Sequence, residues 1–402
     1  MHRHFNCYKN KVRKPNFFLY YFLLLGSFWI LKLLLHIQVK NKEIIQKMNK
    51  PFILLFNHPS KLDFIYAYAP LWRHRINTMA AYYYFCQKNV GDLMHLAGAY
   101  PKTLFSPDLS AIKNTFKIVK RKGSIGISPE GRLSPHGAME SVHLSTAKLI
   151  QKMGVDVYCA HIHGSYFVFP KWAKNIRRGL IEIEYEHLFT SEILEKLELK
   201  EIENRLVQAM DYNEYAWQEQ KQTRYKSNNL AKGLEYLLYR CPVCHEMYTL
   251  ETNRNEISCS HCHTAFALDS KYYLHSQEKG PTTIKEWYEF QKEYERKNIP
   301  NDFSLRSPVV LKMPDKQGKG FIEVGRGMTT INAEELIYQG LLMGEETKIS
   351  FPIKKIQTIL FGPNEDFEVY HEDEFYYFVP ENIKECVRYT ILADVFYERV
   401  VK

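Results

Sequence analysis

The chain has no internal repeat and no low-complexity tract, so solenoid and linker-like architectures are excluded. Cysteine is scarce. Of eight, four sit in two Cys-x-x-Cys pairs, while Cys7, Cys86, Cys159 and Cys386 are scattered. Pairs that tight in a chain this long do not make a disulfide scaffold, and a reducing compartment is expected. No small-residue cleavage site follows the first apolar run, so that run is not a cleaved signal. No basic–aromatic stripe surrounds the cysteine pairs. Glu246, Glu251 and Glu256 lie there instead, and no nucleic-acid partner is expected. What is present is 402 residues, 45% hydrophobic and 25% charged, with a formal net charge of +9. That composition is globular, the length calls for two or three domains, and the charge suits an anionic partner.

Residues 17–31 read FFLYYFLLLGSFWIL without a charge, and LLLHIQV follows Lys32. Arg3, Lys9, Lys11, Arg13 and Lys14 precede the run, and Lys40, Lys42, Lys47 and Lys50 follow it. The uncharged stretch is short for a full span. A full span with its basic flank inside would place the cysteine pairs where they oxidise. The expectation is therefore a membrane-associated N-terminal helix over 1–40, monotopic or single-helix anchored, on the cytoplasmic face of a phospholipid membrane.

Beyond it, PFILLF (51–56), SIGIS (124–128), VDVYCAHI (155–162) and GLIEIEYE (179–186) read as strands, and 61–70, 109–122 and 139–153 as helices. That alternation predicts an α/β domain over 41–225 with a mostly parallel sheet. Residues 191–222 read as helical. The cysteine pairs fall in 236–275, an amphipathic helix in 281–300, and a β-rich domain in 301–402 that a helix over 381–400 closes.

The sharpest local pattern is Asn57-His58-Pro59-Ser60-Lys61-Leu62-Asp63, directly after a predicted strand. In one continuous helix, positions five apart sit about 140° apart. His58 and Asp63 meet only if His58 lies in the loop before the helix, where Pro59 fits. A carboxylate on one imidazole nitrogen fixes the tautomer and leaves the other nitrogen a better base. The same residues also read as a Ser60-x-x-Asp63 capping box beside an ordinary loop histidine. A second segment, Ser128-Pro-Glu-Gly-Arg-Leu-Ser-Pro-His-Gly137, also follows a predicted strand. In it Arg132 offers a bidentate phosphate donor and Glu130 a group to orient it.

Together the two segments resemble the 1-acylglycerol-3-phosphate acyltransferase (lysophospholipid acyltransferase) family, with its Asn-His-x4-Asp and Pro-Glu-Gly-Thr-Arg-Ser blocks. The resemblance covers 45 to about 220. It implies His58 as base and Asp63 as its partner, with Glu130, Gly131 and Arg132 on the glycerophosphate. It also implies acyl-CoA or acyl-carrier-protein as donor, a lysophospholipid acceptor and no catalytic cofactor. No serine nucleophile is needed, since the acceptor hydroxyl attacks the thioester. The chain departs from the family at Arg132 and Leu133, where threonine and arginine are usual. Only Lys102 stands near the middle block's arginine, and Val155-Asp156-Val157-Tyr158 lacks the late block's prolines. These departures bear on the acceptor more than on the His–Asp chemistry. The other reading is a non-catalytic membrane adaptor on an acyltransferase-like scaffold.

Cys241-x-x-Cys244 and Cys259-x-x-Cys262, separated by 14 residues, supply four thiolates for a structural zinc and look like a zinc ribbon. His245 and His263 also make both pairs match haem attachment, which requires export. The run Lys171-Trp-Ala-Lys-Asn-Ile-Arg-Arg178 reads as a solvated basic loop or a headgroup contact. The strand-like runs after 305 with one terminal helix look like a pleckstrin-homology (PH)-like barrel.

Overall fold

The computed structural model describes residues 12–105, 107–315, 320–356, 358–372 and 374–401. Arg3, Cys7, Lys9 and Lys11 lie outside them. The chain forms two compact units. The first runs to Pro170 and resumes over Ile176–Tyr225; the second comprises Lys171–Asn175 and the chain from Lys226 onward.

The first unit opens with α1 (Phe17–Leu34), β1 (His36–Lys40), α2 (Lys42–Lys47), β2 (Phe52–Phe56) and α3 (Asp63–Tyr68). It continues with β3 (Ile76–Ala81), α4 (Tyr82–Cys86), α5 (Val90–Leu96), β4 (Tyr100–Lys102), α6 (Leu109–Lys120) and β5 (Ser124–Ile127). It ends with α7 (Ser145–Met153), β6 (Asp156–His163), α8 (Ser165–Val168), β7 (Leu180–Phe189), α9 (Ser191–Leu194), α10 (Leu199–Met210) and α11 (Glu214–Lys221). Its sheet has the order β1-β7-β6-β2-β5-β3-β4. Every pairing is parallel except β6 with β7. The central strand β2 is buried throughout because helices cover both faces, which is why FILLF is a continuous apolar run.

The α/β reading and the four strands stand. The helix expected over 139–153 begins only at Ser145, because Gly137 and the Ala138–Asn213 bridge hold the preceding chain extended. The stretch 191–222 breaks into three helices rather than one. His36–Lys40, read as part of the apolar segment, is an edge strand alternating exposed and half-buried residues.

That edge strand orients α1. β1 is parallel to β7, β7 antiparallel to β6, and β6 parallel to β2. β1 therefore runs opposite to β2, and α1 ends one residue before it. At its other end, the Asn16 N–H donates to Leu96 O and Arg75 donates to Pro15 O, beside the start of β3. So α1, about 27 Å long, runs along the unit from the start of β3 towards the end of β2. One stripe, Tyr20, Leu24 and Leu31, is buried, and the Tyr20 hydroxyl bonds His74 O and the Ile76 N–H. Phe18, Phe22 and Leu33 are 80%, 77% and 86% exposed. By length and composition α1 is apolar enough to cross a membrane.

The second unit holds a four-stranded antiparallel ribbon of β8 (Leu250–Asn253), β9 (Glu256–Cys259), β10 (Ala265–Leu268) and β11 (Leu274–His275), then α12 (Ile284–Asn298). Seven further strands follow: β12 (Leu305–Pro314), β13 (Phe321–Ile331), β14 (Glu335–Leu342), β15 (Glu345–Pro352), β16 (Leu360–Gly362), β17 (Asp366–His371) and β18 (Glu374–Pro380). A short turn, α13 (Ile353–Ile356), precedes β16, and α14 (Cys386–Val401) ends the chain. The C-terminal region is β-rich, as expected. GFIEV and GMTTI form one strand rather than two, since β13 continues through Gly325 and Gly327 where the backbone of β14 comes too close for a Cβ. Glu295 on α12 bonds Arg240 (3.1 Å) and Arg388 (2.9 Å), tying the segment before the first cysteine pair to α14.

The basic run after α8 is only partly solvated, with Lys174, Asn175, Ile176 and Arg178 exposed. Trp172, Ala173 and Arg177 are 2%, 1% and 1% exposed, and Lys171 lies 4.0 Å over the Phe361 ring. An aromatic and a small residue among the cations let part of the stretch pack.

Candidate active site

β2 ends at Phe56, and a side chain prolongs its ladder. The Asn57 amide donates to Ile162 O (2.9 Å) and accepts from the Ile162 N–H (2.8 Å), as a peptide group would. This fixes where the chain leaves the sheet. His58 then sits in the loop, and α3 starts at Asp63. His58 Nδ1 lies 3.1 Å from Asp63 Oδ2, with the imidazole side chain 25% exposed and the carboxylate fully buried. Only half of the expected capping box forms, because Leu62 is the N-cap and the Ser60 hydroxyl donates to Phe169 O instead. The Ser60 N–H donates to the same Oδ2 (2.7 Å), so the helix-initiating carboxylate also anchors the ring.

Burial pushes the Asp63 carboxyl up from its ordinary range. The His58 ring, the Ser60 N–H and the Ser165 hydroxyl pull it back. Ser165 Oγ donates to Asp63 Oδ1 at 2.8 Å, so both carboxylate oxygens are held. Ser165 follows Gly164, whose N–H donates to Glu214 Oε2 (2.6 Å). Gly164 has φ +80°, and a Cβ there would lie 2.3 Å from Leu180 O. Ser165 is 102 residues from Asp63, and nothing local in the sequence points to it.

Glu130 is 3% exposed and turned inward. Its Oε1 accepts from the His58 N–H (2.7 Å) and its Oε2 from the Tyr212 hydroxyl (3.1 Å). Burial pushes this carboxyl up to about 8. Glu130 thus joins the second segment to the His58 backbone, and the Ser134 N–H donates to His58 O (3.0 Å) from the same loop. Gly131 has φ +70°, and a Cβ there would sit 2.9 Å from His143 Nε2. Arg132 pairs with Glu140 at 2.8 Å. Lys102, at the end of β4, bonds Thr103 O. His143 was not foreseen. Burial first, then Lys102 and Arg132, hold its ring below the ordinary histidine range. Those three cationic or basic groups therefore share one neighbourhood.

In the second unit, Cys241, Cys244, Cys259 and Cys262 place their four sulfurs within 4.8 Å of one another. Cys241–Cys262 and Cys244–Cys259 are 3.7 and 3.8 Å apart. A tetrahedron with 2.3 Å zinc–sulfur bonds has edges of about 3.8 Å, whereas a disulfide is far shorter, about 2 Å. Two separate haem attachments would not draw all four sulfurs together. The cluster is a site that can hold a metal ion.

Residues 36–163 match the Acyltransferase family, from the first residue of β1 to the last of β6. About a third of the chain is thus similar to an acyltransferase domain. The match includes His58, Asp63, Lys102, Glu130, Gly131, Arg132 and His143, but not Ser165 or Tyr212. Among solved structures, the chain is similar to the 1-acyl-sn-glycerophosphate (LPA) acyltransferase PlsC from Thermotoga maritima. The identity is 18%, covering 52% of this chain and 80% of that one, with a TM-score of 0.41. No curated protein matches the chain.

Proposed function

We propose that the protein is a membrane-associated O-acyltransferase that moves a fatty acyl group from acyl-CoA or acyl-carrier-protein to the free hydroxyl of a lysophospholipid, 1-acylglycerol-3-phosphate being the first choice. The observation that carries this reading is the quarter-exposed His58 ring on the buried Asp63 carboxylate, inside a domain that matches the Acyltransferase family. With Nδ1–H donated to Asp63, Nε2 is the basic nitrogen. It takes the proton of the acceptor hydroxyl as that oxygen attacks the thioester carbonyl. The tetrahedral intermediate collapses, the carbon–sulfur bond breaks, and the proton passes from Nε2 to the leaving sulfur. The products are the ester and the free thiol.

Glu130 acts as a positioning residue through the His58 N–H, while Gly131 keeps the loop open for the acceptor. Lys102 and Arg132 supply the positive ground for its phosphate, and His143 beside them is a neutral hydrogen-bonding group. The cysteine cluster holds a structural zinc in a zinc ribbon. Four thiolates close its coordination, so it takes no part in catalysis. The remaining strands, in the order β15-β14-β13-β12-β18-β17-β16 with α14 at the end, support a PH-like domain. The buried stripe of α1 supports a monotopic helix lying in one leaflet, because a spanning helix would leave the unit it is fastened to. Thiolates and a thioester donor both favour the cytoplasmic face.

The test is a lipid-product assay with a panel of lysolipids and both donor types. Phosphatidate from 1-acylglycerol-3-phosphate is the expected product. No esterified product from any acceptor would leave the adaptor reading in its place.

Replacing Ser165 by alanine tests the geometry around Asp63. It removes one donor to an ionised carboxylate, a contact worth about 1.5–3 kcal/mol. The carboxyl then rises further, so the acid limb of kcat/KM moves to higher pH by about one to two units. kcat falls about tenfold with KM unchanged, and Ser165→Cys recovers part of it. An unmoved pH profile would show that Ser165 only packs.

A further inference from the structure

At the opposite end of the sheet from His58, where β2 and β3 begin, four basic side chains meet beside the start of α1. They are Lys50, Arg73, His74 and Arg75. Partial burial and Arg75 hold the Lys50 ammonium below its ordinary range. Burial, Lys50 and Arg73 do the same to the His74 ring. These groups feel one another, yet Lys50, Arg73 and Arg75 form no ion pair with any described residue. Arg75 donates to Pro15 O (3.0 Å) and lies 5.7 Å over the Phe17 ring, and Arg73 lies 5.4 Å over Trp72. His74 Nδ1 is buried without a hydrogen-bond partner.

Concentrating positive charge without a carboxylate costs free energy unless an anion relieves it. The surroundings identify the anion's source. Phe17 and Trp72, which border the cluster, are 54% and 51% exposed, and Phe18 beside Phe17 is 80% exposed. At the far end of α1 a second aromatic–cation pair occurs, Lys32 Nζ lying 5.0 Å over Trp29, itself 59% exposed. Aromatic rings beside cations at both ends of an exposed apolar helix mark the level of lipid headgroups. Free phosphate would satisfy the charge but not the rings.

We propose that Lys50, Arg73 and Arg75, with Trp72, form a contact for anionic phospholipid that seats the domain on a bilayer with α1 in its plane. This deepens the monotopic reading of α1 and rests on it. Lys50 and Arg73 are exposed and reach headgroup phosphates, while Arg75 also fastens the chain before α1. Trp72 extends the apolar face beyond the helix.

The experiment is vesicle co-sedimentation of the full chain with phosphatidylcholine alone and with a phosphatidylcholine–phosphatidylglycerol mixture. Each removed cation near an anionic surface weakens partition roughly fivefold. Lys50→Gln with Arg73→Gln should therefore bind the anionic vesicles about 30-fold more weakly and the neutral ones unchanged. High salt should erase that difference. Trp72→Ala should weaken binding to both. An equal charge loss on α7, Lys148→Gln with Lys152→Gln, should change little. If the Lys50/Arg73 variant binds like wild type, or the α7 variant loses as much, the cluster is not a contact and α1 still stands as the anchor. If the wild type binds neither vesicle, the monotopic reading itself falls.

Discussion

Acyl transfer by the His58→Ala variant is expected to fall about a thousandfold, within the range a positioned general base contributes. The fold should survive. The ring is a quarter exposed, and its loss leaves Asp63 with the Ser60 N–H and the Ser165 hydroxyl. No buried charge is stranded, so the unfolding temperature and vesicle binding should match wild type. Asp63→Asn is the companion variant. An amide at that position cannot accept at both oxygens, so it turns its NH2 toward either Ser165 or the Ser60 N–H. With the NH2 at the Oδ2 position the ring loses its acceptor and its fixed tautomer, and kcat drops while KM holds. Product formation at the wild-type rate by His58→Ala would dismiss the imidazole from the chemistry, whatever the family of the domain.

The second large effect concerns the cysteine cluster. Purified protein is expected to carry one zinc per chain. Cys241→Ser, or chelation, should remove it and lower the unfolding temperature of the second unit by about 10–20 °C, the shift a loss of about 5 kcal/mol gives at this size. Structural zinc contributes about 10–16 kcal/mol in isolated fingers, where nothing else holds the fold. Here α12 holds much of it. Gln291 accepts from the Tyr239 and Arg240 N–H groups (2.6 and 3.0 Å), and the Trp287 indole donates to Arg240 O (2.8 Å). Cys241 follows directly, so disorder in the cluster pulls on that grip and on Glu295 behind it. His58 and Asp63 lie in the other unit, and the rate constant of folded protein should not change. A metal-free protein with an unaltered unfolding temperature would show that the sulfurs merely cluster.

Much of this architecture could be read in advance where the signal is local. FILLF and SIGIS are buried strands whose composition leaves little choice, and the helix over 283–298 begins at Ile284 with Thr283 capping Glu286. The His58–Asp63 convergence follows from five-residue spacing and a proline. Other features depend on long-range topology. His36–Lys40 reads as the tail of an apolar run, and only its ladder with β7 makes it a strand. Ser165, Tyr212 and His143 reach the site from loops and helices that the sheet brings round, and no spacing rule connects them to β2. Glu130 carried a sequence signal, but the signal was silent on direction. The part expected of Glu130 is to orient Arg132, but the structure turns it inward against the His58 N–H, and Arg132 pairs with Glu140 instead.

The five-residue ladder of β1 against β7 begins almost as soon as α1 ends. An enzyme on a flexible arm samples many heights above its lipid. With α1 lying in a leaflet, this one has no slack, since main-chain bonds carry its anchor straight into the slab that holds the imidazole. The altitude of the reaction over the acyl chains is then a fixed property of the protein. On the proposed function, an acceptor would be chosen partly by how far its hydroxyl stands out from the bilayer, before any feature of its headgroup is consulted.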